Sequence, residues 1–340
     1  MEYRLLGASG LAVSRLCLGT MTFGAETDRD GSFAQLDAFV EAGGTFIDTA
    51  DVYSRGVSEE IIGAWLAARP GMVERVVIAT KGRFPMGKGH NDAGLSRVHL
   101  RRALDSSLAR LGVEQIDLYQ MHAWDPLTPL EETLRFIDDA VSAGKIGYFG
   151  LSNFLGWQLT AAAERARAAG LTAPISLQPQ YNLLTRHIEL EVIPACATYG
   201  LGLMPWSPLA GGWLSGKYSR ESAPQGATRL GENPNRGMES YARRNTEQSW
   251  AVLDVVRAVS EEAGITMAQV ALAWLADRPQ VTAPIIGART TDQLAGSLLV
   301  ADLHLDAAAT ERLDQVSAPP MPDYPYGELG VGQRSRSIKG

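Results

Sequence analysis

Eight short runs of apolar, mostly β-branched residues recur along the chain. They cover residues 15–18, 45–47, 76–79, 116–121, 146–151, 175–177, 201–206 and 282–286. Strands that are buried on both faces of a parallel sheet have this continuous apolar pattern. Most neighbouring runs are separated by stretches with helical spacing, as in residues 95–111, where Leu100, Leu104 and Leu108 lie four residues apart. The pattern therefore predicts eight strands that alternate with helices.

This alternation determines the predicted fold class. Parallel strands need crossover helices, and eight such units close into a barrel, so we expect an α/β protein with a single (β/α)8 TIM barrel over residues 1–340. A doubly wound open sheet is the alternative. It would be favoured by a Gly-x-Gly-x-x-Gly turn after the first strand, and the chain contains no such spacing.

Three segments fall outside the repeating pattern. Residues 3–13 contain turn residues between short apolar stretches and predict a hairpin that closes the bottom of the barrel. Residues 217–243 are rich in Gly, Pro and Asn and are long for a barrel connection, so a flexible loop is expected. After extra C-terminal helices, residues 319–340 lack periodicity and predict an irregular tail.

Composition and charge narrow the class of partner. The 340 residues are 45% apolar and carry a net charge of −7, which disfavours binding to nucleic acid or to an anionic membrane. No window approaches the roughly 20 apolar residues of a membrane span, and the start lacks the features of a signal peptide. A cytoplasmic protein that binds a small molecule is expected, as a monomer or a homo-oligomer. Cys17 and Cys196 are isolated in apolar contexts, which indicates buried thiols and no metal site.

Ionisable residues follow three of the predicted strands. Asp48 ends the second strand and Tyr53 lies in the next loop, Lys81 ends the third strand, and His122 ends the fourth. Each residue alone is more often a turn, cap or solvated residue. Because active sites of such barrels form at the carboxyl ends of the strands, their joint occurrence predicts a catalytic site.

These residue types suit the reduction of a carbonyl group, whose oxygen gains negative charge as hydride arrives and then needs a proton. Tyr53 is the candidate donor, with an ordinary pKa of about 10 that must fall by roughly 2 to 3 units. A Lys81 ammonium about 4 Å away contributes on the order of 4 kcal/mol at an effective dielectric of about 20, which is sufficient. Asp48 would keep Lys81 charged, and His122 would bind the substrate oxygen.

The next strands end in groups that suit a nicotinamide ring. Ser152 and Asn153 follow the fifth strand, Gln178 ends the sixth and Trp206 ends the seventh. Hydroxyl and amide groups match the carboxamide, and an indole can stack on the ring. Each residue alone is equally well explained as an interior hydrogen bond or a core aromatic.

Together these motifs resemble the aldo-keto reductase superfamily, from GTMTFG at Gly19 through GGTFIDTADVYSRGVSEEIIG at Gly43 to RTTDQL at Arg289. The resemblance implies a catalytic tetrad of Asp48, Tyr53, Lys81 and His122, and carboxamide contacts from Ser152, Asn153 and Gln178 with Trp206 stacked on the ring. It further implies that the pyrophosphate is bound by Ser207, Leu209, Gly211 and Lys217. Arg289 is implied to bind the 2′-phosphate, which favours NADPH over NADH. Gln293 is implied to lie near the adenine. The other implied cofactor contacts are Gly19, Thr20, Met21, Gly287 and Ser297. The family commonly has Asn where this chain has Ser297.

Within the family, the segments GTMTFG, HAWDPLTP and SNFLGWQL resemble microbial aryl-alcohol dehydrogenase-like reductases. Four aromatic residues are expected in loops over the predicted pocket: Phe23, Phe84, Trp124 and Trp213. They would suit aromatic or bulky aldehydes and ketones. Each is equally well explained by packing within its own loop. Two other functions remain open. Lys81 could form a Schiff base as in an aldolase, and some family members are cofactor-sensing subunits of membrane channels.

Overall fold

The computed structural model describes residues 1–226, 228–233 and 237–335. The strands are β1 Tyr3–Leu5, β2 Ala12–Ser14, β3 Cys17–Gly19, β4 Phe46–Asp48, β5 Val77–Gly82, β6 Ile116–Met121, β7 Ile146–Ser152, β8 Ser176–Gln178, β9 Gly202–Leu203 and β10 Ile285–Ile286. The α-helices are α1 Arg29–Glu41, α2 Val57–Ala67, α3 Arg97–Leu111, α4 Leu130–Ser142, α5 Gly156–Ala168, α6 Val192–Tyr199, α7 Arg229–Glu232, α8 Tyr241–Arg244, α9 Glu247–Ala263, α10 Met267–Ala276, α11 Thr291–Leu298, α12 Ala307–Ser317 and α13 Glu328–Arg334. Short 3₁₀ helices cover Tyr53–Gly56, His187–Glu189, Ala210–Ser215, Gly237–Glu239 and Leu299–Asp302.

Strands β3 to β10 form one parallel sheet in the order β10-β3-β4-β5-β6-β7-β8-β9. Its two ends meet, because the Ile285 N–H donates to the Pro205 carbonyl at 2.8 Å and the Thr282 N–H donates to the Leu203 carbonyl at 2.9 Å. The predicted (β/α)8 barrel is confirmed. All eight predicted strands are present. Most of them differ from the predicted limits by one to a few residues.

The N-terminal hairpin lies at the bottom of the barrel, as the sequence predicted. Strands β1 and β2 pair antiparallel. Leu6 and Val13 are fully buried and pack inside the barrel against Phe46, Leu118 and Met204. These side chains fill the lower interior, so the open end is the one at which the strands terminate.

The helices cover the outside of the barrel through apolar faces. In α4, Leu130, Leu134 and Ile137 are buried, and their spacing of four and three residues places them on one helical face. In α3, the hydroxyl of Ser96 accepts from the N–H of His99, and Gly112 ends the helix in the left-handed conformation with φ 68°. These caps explain why the helix predicted over 95–111 begins at residue 97.

Two of the segments outside the repeat contain more regular structure than expected. Residues 217–243 include α7, and Tyr218 and Leu230 are buried; the flexibility of this segment remains a prediction. The prediction of an irregular tail over 319–340 is wrong for 328–334, which form α13, while residues 336–340 lie outside the described residues. Two glycines made this helix hard to predict. Gly330 packs so closely on Pro325 that a Cβ would overlap the Pro325 carbonyl.

Neither the cysteines nor the helices of the described ranges show features of a metalloprotein or a membrane protein. Cys17 and Cys196 are free and buried. Among the described residues, no three His, Cys, Asp or Glu side chains are grouped in a way that would hold a metal ion. In the same residues, each helix is too short or too polar to cross a membrane.

Candidate active site

The four ionisable side chains lie together at the open end of the barrel. Asp48 ends β4, Lys81 lies near the end of β5, His122 directly follows β6, and Tyr53 begins the 3₁₀ helix after β4. Side chains alternate between the two faces of a strand. Phe46 fills the barrel interior, so Asp48, two residues later, also points inward. The strand pattern thus brings these side chains together at one end of the barrel.

The Lys81 ammonium is the centre of the cluster. Its Nζ donates to Asp48 Oδ2 at 2.6 Å, to the Thr49 carbonyl at 2.7 Å and to Tyr53 Oη at 3.2 Å. These three contacts use all three N–H donors of the ammonium. Asp48 and Lys81 are 1% and 0% exposed, so water does not screen their ion pair. The arrangement holds a phenol hydroxyl against a positive charge.

The protonation states follow from burial and neighbouring charge. Burial lowers the pKa of Lys81. The Asp48 carboxylate and the Tyr53 phenol together raise this pKa by more than burial lowers it, so the group stays an ammonium. Burial raises the pKa of Tyr53 by more than the Lys81 charge lowers it. The sequence-based expectation of a net lowering is therefore not met in this structure, because it left out the cost of burying a phenolate.

His122 lies beside Tyr53 as a neutral imidazole. Burial and the positive charges of Lys81 and Arg83 hold its pKa well below the usual range. Its ring meets the Tyr53 ring edge-on at a centroid distance of 5.9 Å and the Phe84 ring at 4.6 Å. A neutral imidazole in this position can donate a hydrogen bond to a substrate oxygen without competing for the phenolic proton.

The polar side chains that follow β7 and β8 form a continuous hydrogen-bonded group. Ser152 Oγ donates to the Gln178 carbonyl at 3.0 Å, and Asn153 Nδ2 donates to the His122 carbonyl at 3.0 Å. Asn153 Oδ1 accepts from Trp206 Nε1 at 3.0 Å, and Gln178 Nε2 donates to Asp48 Oδ1 at 2.8 Å. Hydroxyl, amide and indole groups therefore lie next to the Asp48–Lys81 pair, and this donor and acceptor set fits a nicotinamide carboxamide and ring.

Two of the residues expected at the cofactor phosphates, Ser207 and Arg289, contact carboxylates in this structure. Ser207 Oγ donates to Glu239 Oε1 at 3.1 Å. Arg289 Nη2 donates to Glu232 Oε1 and Oε2 at 2.7 and 2.8 Å, and its N–H donates to Gln293 Oε1 at 2.9 Å. Both glutamates belong to residues 217–243. Groups that bind a carboxylate in this way are also suited to a phosphate.

The remaining expected cofactor residues differ in exposure. Thr20 is fully buried, and its Oγ1 donates to the Asp48 carbonyl at 3.0 Å, so it holds two loops together. Ser297 Oγ donates to the Gln293 carbonyl within α11 at 3.1 Å. Residues with exposed or half-exposed positions are Met21, Leu209, Lys217 and Gly287, whereas Gly19 and Gly211 are buried in the backbone.

Two of the four expected pocket aromatics lie at the open end of the barrel. Phe84 contacts His122, and Trp124 meets Trp157 edge-on at a centroid distance of 5.3 Å. Phe23 and Trp213 are fully buried. The Trp213 indole packs among Tyr218, Tyr241 and Trp250 and donates to the Glu239 carbonyl at 3.2 Å, so it presents no surface to the cavity.

Three residues of the site were missed by the sequence analysis. Trp157 is the second residue of α5, in a segment considered only for its family resemblance. Glu239 lies in the segment expected to be flexible. Gln120 precedes His122 by two residues, so strand alternation places both on the inner face, and a polar residue at an inward position was the available signal.

Comparisons with known proteins agree with this geometry. The sequence model described as "Aldo/keto reductase family" matches residues 15–318. The chain is 40% identical to the uncharacterized oxidoreductase YrpG of Bacillus subtilis (strain 168), over 96% of this chain and 98% of the relative. It is 37% identical to a probable voltage-gated potassium channel subunit beta of Oryza sativa subsp. japonica, over 94% and 96%. It is 35% identical to versiconal hemiacetal acetate reductase of Aspergillus parasiticus, over 94% and 98%.

Proposed function

The chain belongs to the aldo/keto reductase family, and we propose that it reduces aldehydes and ketones to alcohols with NADPH, using Tyr53 as the proton donor. The observation that carries this proposal is the Lys81 ammonium, 2.6 Å from Asp48 Oδ2 and 3.2 Å from Tyr53 Oη. That contact sets the Tyr53 hydroxyl beside a buried positive charge, which supports a role as proton donor.

The chain's own residues provide the remaining steps. NADPH, when bound, supplies the hydride. Ser152, Asn153 and Gln178 would hold its carboxamide, and Trp206 would hold its ring. The neutral His122 orients the carbonyl oxygen, and Tyr53 Oη transfers its proton to that oxygen as negative charge develops there. The resulting phenolate is stabilised by the Lys81 ammonium and regains its proton from solvent.

The pH dependence of reduction follows from these protonation states. The raised pKa of Tyr53 keeps the phenol protonated below about pH 10, and the lowered pKa of His122 removes the usual transition near about pH 6.5. We expect kcat/KM for reduction to be constant from about pH 6 to about pH 9 and to fall only above that range. Alcohol oxidation needs the phenolate, so its rate is expected to rise with pH. Initial rates in both directions test this, and a transition in reduction near neutral pH would contradict it.

Glu232 is expected to weaken NADPH binding, because its carboxylate pairs with Arg289, the proposed partner of the 2′-phosphate. The pair is partly exposed, and such pairs are worth about 0.2–1 kcal/mol. Glu232→Gln should lower the Kd of NADPH by no more than about fivefold and leave the Kd of NADH unchanged. Cofactor fluorescence titration measures both.

A matched control for this prediction is Glu262→Gln, which breaks the similarly exposed pair between Glu262 and Arg312. It should change neither Kd. Unchanged NADPH affinity in Glu232→Gln would show that Arg289 does not exchange the carboxylate for a phosphate.

The substrate class that the cavity suits is an aromatic or bulky carbonyl compound. Phe84 supplies a flat apolar surface against the His122 ring, and Trp124, two residues after His122, packs on Trp157. One of the similar proteins is a versiconal hemiacetal acetate reductase, which supports a reductase activity. The test is NADPH consumption with a panel of aldehydes, including 4-nitrobenzaldehyde. Saturable turnover supports the proposal, and NADPH binding without turnover of any carbonyl would count against it.

A second candidate function is a cofactor-binding channel subunit, because two similar proteins are probable potassium channel beta subunits. Such a protein should bind NADPH and turn over 4-nitrobenzaldehyde hardly at all.

The aldolase alternative is disfavoured, since a Schiff base requires a neutral amine. Burial lowers the pKa of Lys81, but Asp48 and Tyr53 together raise it by more, so Lys81 is held as an ammonium beside Asp48. Borohydride trapping of a ketone substrate on Lys81 is therefore not expected.

A further inference from the structure

Gln120 is a buried amide directly beneath the proposed active site. It lies on β6, two residues before His122, and is 0% exposed. Neither the tetrad nor the expected carboxamide contacts include it. A polar side chain buried inside a barrel costs free energy unless its hydrogen bonds are satisfied, so its partners indicate what it does.

The barrel provides space specifically at this position. Lys81, Gln120 and Gly150 are neighbours on β5, β6 and β7. Gly150 has no side chain, and a Cβ there would lie 3.1 Å from Gln120 Cγ and would overlap Ser176 Oγ. The glycine thus leaves room for the Gln120 side chain to extend toward Asp48.

The Gln120 amide connects the catalytic carboxylate to Gln178. Its Nε2 donates to Asp48 Oδ1 at 3.1 Å, and its Oε1 accepts from Gln178 Nε2 at 3.3 Å. Gln178 Nε2 also donates to Asp48 Oδ1 at 2.8 Å. Both N–H groups of Gln178 are therefore directed into the barrel, and its Oε1 points away from these two partners.

From this geometry we propose that Gln120 is a positioning residue. It fixes the side-chain amide of Gln178 so that Gln178 Oε1 accepts a hydrogen bond from the nicotinamide carboxamide. The proposal rests on the function proposed above. A single hydrogen bond to Asp48 leaves the Gln178 amide free to rotate about that bond, whereas a second bond to Gln120 determines the amide plane. The effect is on cofactor recognition, transmitted through Gln178.

The test compares the binding of NADP⁺ with that of its 3-acetylpyridine analogue, which has a methyl group in place of the carboxamide NH₂. The wild-type protein should bind NADP⁺ about five- to tenfold more tightly, the difference expected for one neutral hydrogen bond. In Gln120→Leu that preference should fall to about twofold or less. Calorimetric Kd values for both ligands measure it, and a purely structural role would weaken both ligands equally.

The control is Gln35→Leu, the same substitution at a fully buried glutamine on α1 whose amide has no hydrogen-bond partner among the described residues. It should keep the wild-type preference. If Gln120→Leu does not fold, Gln120→Met is measured in the same way, since its unbranched side chain fills the same space.

Retention of the full preference in Gln120→Leu or Gln120→Met would overturn the role of Gln120 while leaving the proposed function intact. Failure of the wild-type protein to bind NADP⁺ would instead overturn the proposed function, and with it this inference. The two failures are therefore distinguished by the wild-type titration alone.

Discussion

Tyr53→Phe is expected to lower kcat for aldehyde reduction by about 10²- to 10⁴-fold, the usual contribution of a positioned general acid. The substitution removes only the hydroxyl that lies 3.2 Å from Lys81 Nζ. The ring that packs edge-on against His122 remains, so the cavity keeps its shape. The Kd of NADPH should therefore change little. The loss of NADPH absorbance gives kcat, and fluorescence titration gives the Kd.

The control for this prediction is Tyr3→Phe. Tyr3 lies in the N-terminal hairpin at the bottom of the barrel, opposite the proposed site, and its hydroxyl donates to the Gly43 carbonyl at 2.8 Å. That variant should keep wild-type kcat. Substantial reduction by Tyr53→Phe would show that another group supplies the proton.

Arg289→Ala should raise the Kd of NADPH by about 10- to 100-fold, because one charged hydrogen-bonded contact contributes about 1.5 to 3 kcal/mol. The Kd of NADH should change less than about twofold, since NADH has no 2′-phosphate for the guanidinium to contact. The variant also frees Glu232, whose carboxylate accepts from Arg289 in this structure. Titrations with both cofactors separate the two effects.

Arg312→Ala is a matched control, because Arg312 pairs with Glu262 on the surface and has no expected contact with a cofactor. It should leave both affinities unchanged. An equal loss of NADPH and NADH binding in Arg289→Ala would place the guanidinium elsewhere than at the 2′-phosphate.

The barrel and the positions of Asp48, Lys81 and His122 at its open end were predictable because they depend on local periodicity. A continuous apolar run indicates a buried strand, and the two-residue alternation then determines which side chains enter the interior. Asp48 and Lys81 follow directly from this rule, since Phe46 and Ala79 precede them by two residues and line the inner core. Once eight strands close into a barrel, their carboxyl ends meet regardless of their separation in the chain.

The features that were not predictable depend on contacts between distant segments. Trp213 was expected at the pocket, but Tyr218, Tyr241 and Trp250 surround it, and that cluster requires the folding of residues 217–243. The upward shift in the pKa of Tyr53 arises from its burial, which no pattern in the loop sequence reveals.

Transfer of deuterium tests the central claim most directly. The protein should be given 4-nitrobenzaldehyde and NADPH that carries deuterium at the transferable position of the nicotinamide, and the alcohol product should be analysed by mass spectrometry. The account predicts an alcohol with one deuterium on its carbinol carbon in the wild-type protein and almost no alcohol with Tyr53→Phe. Absence of alcohol from the wild-type protein, or alcohol without deuterium, would contradict it.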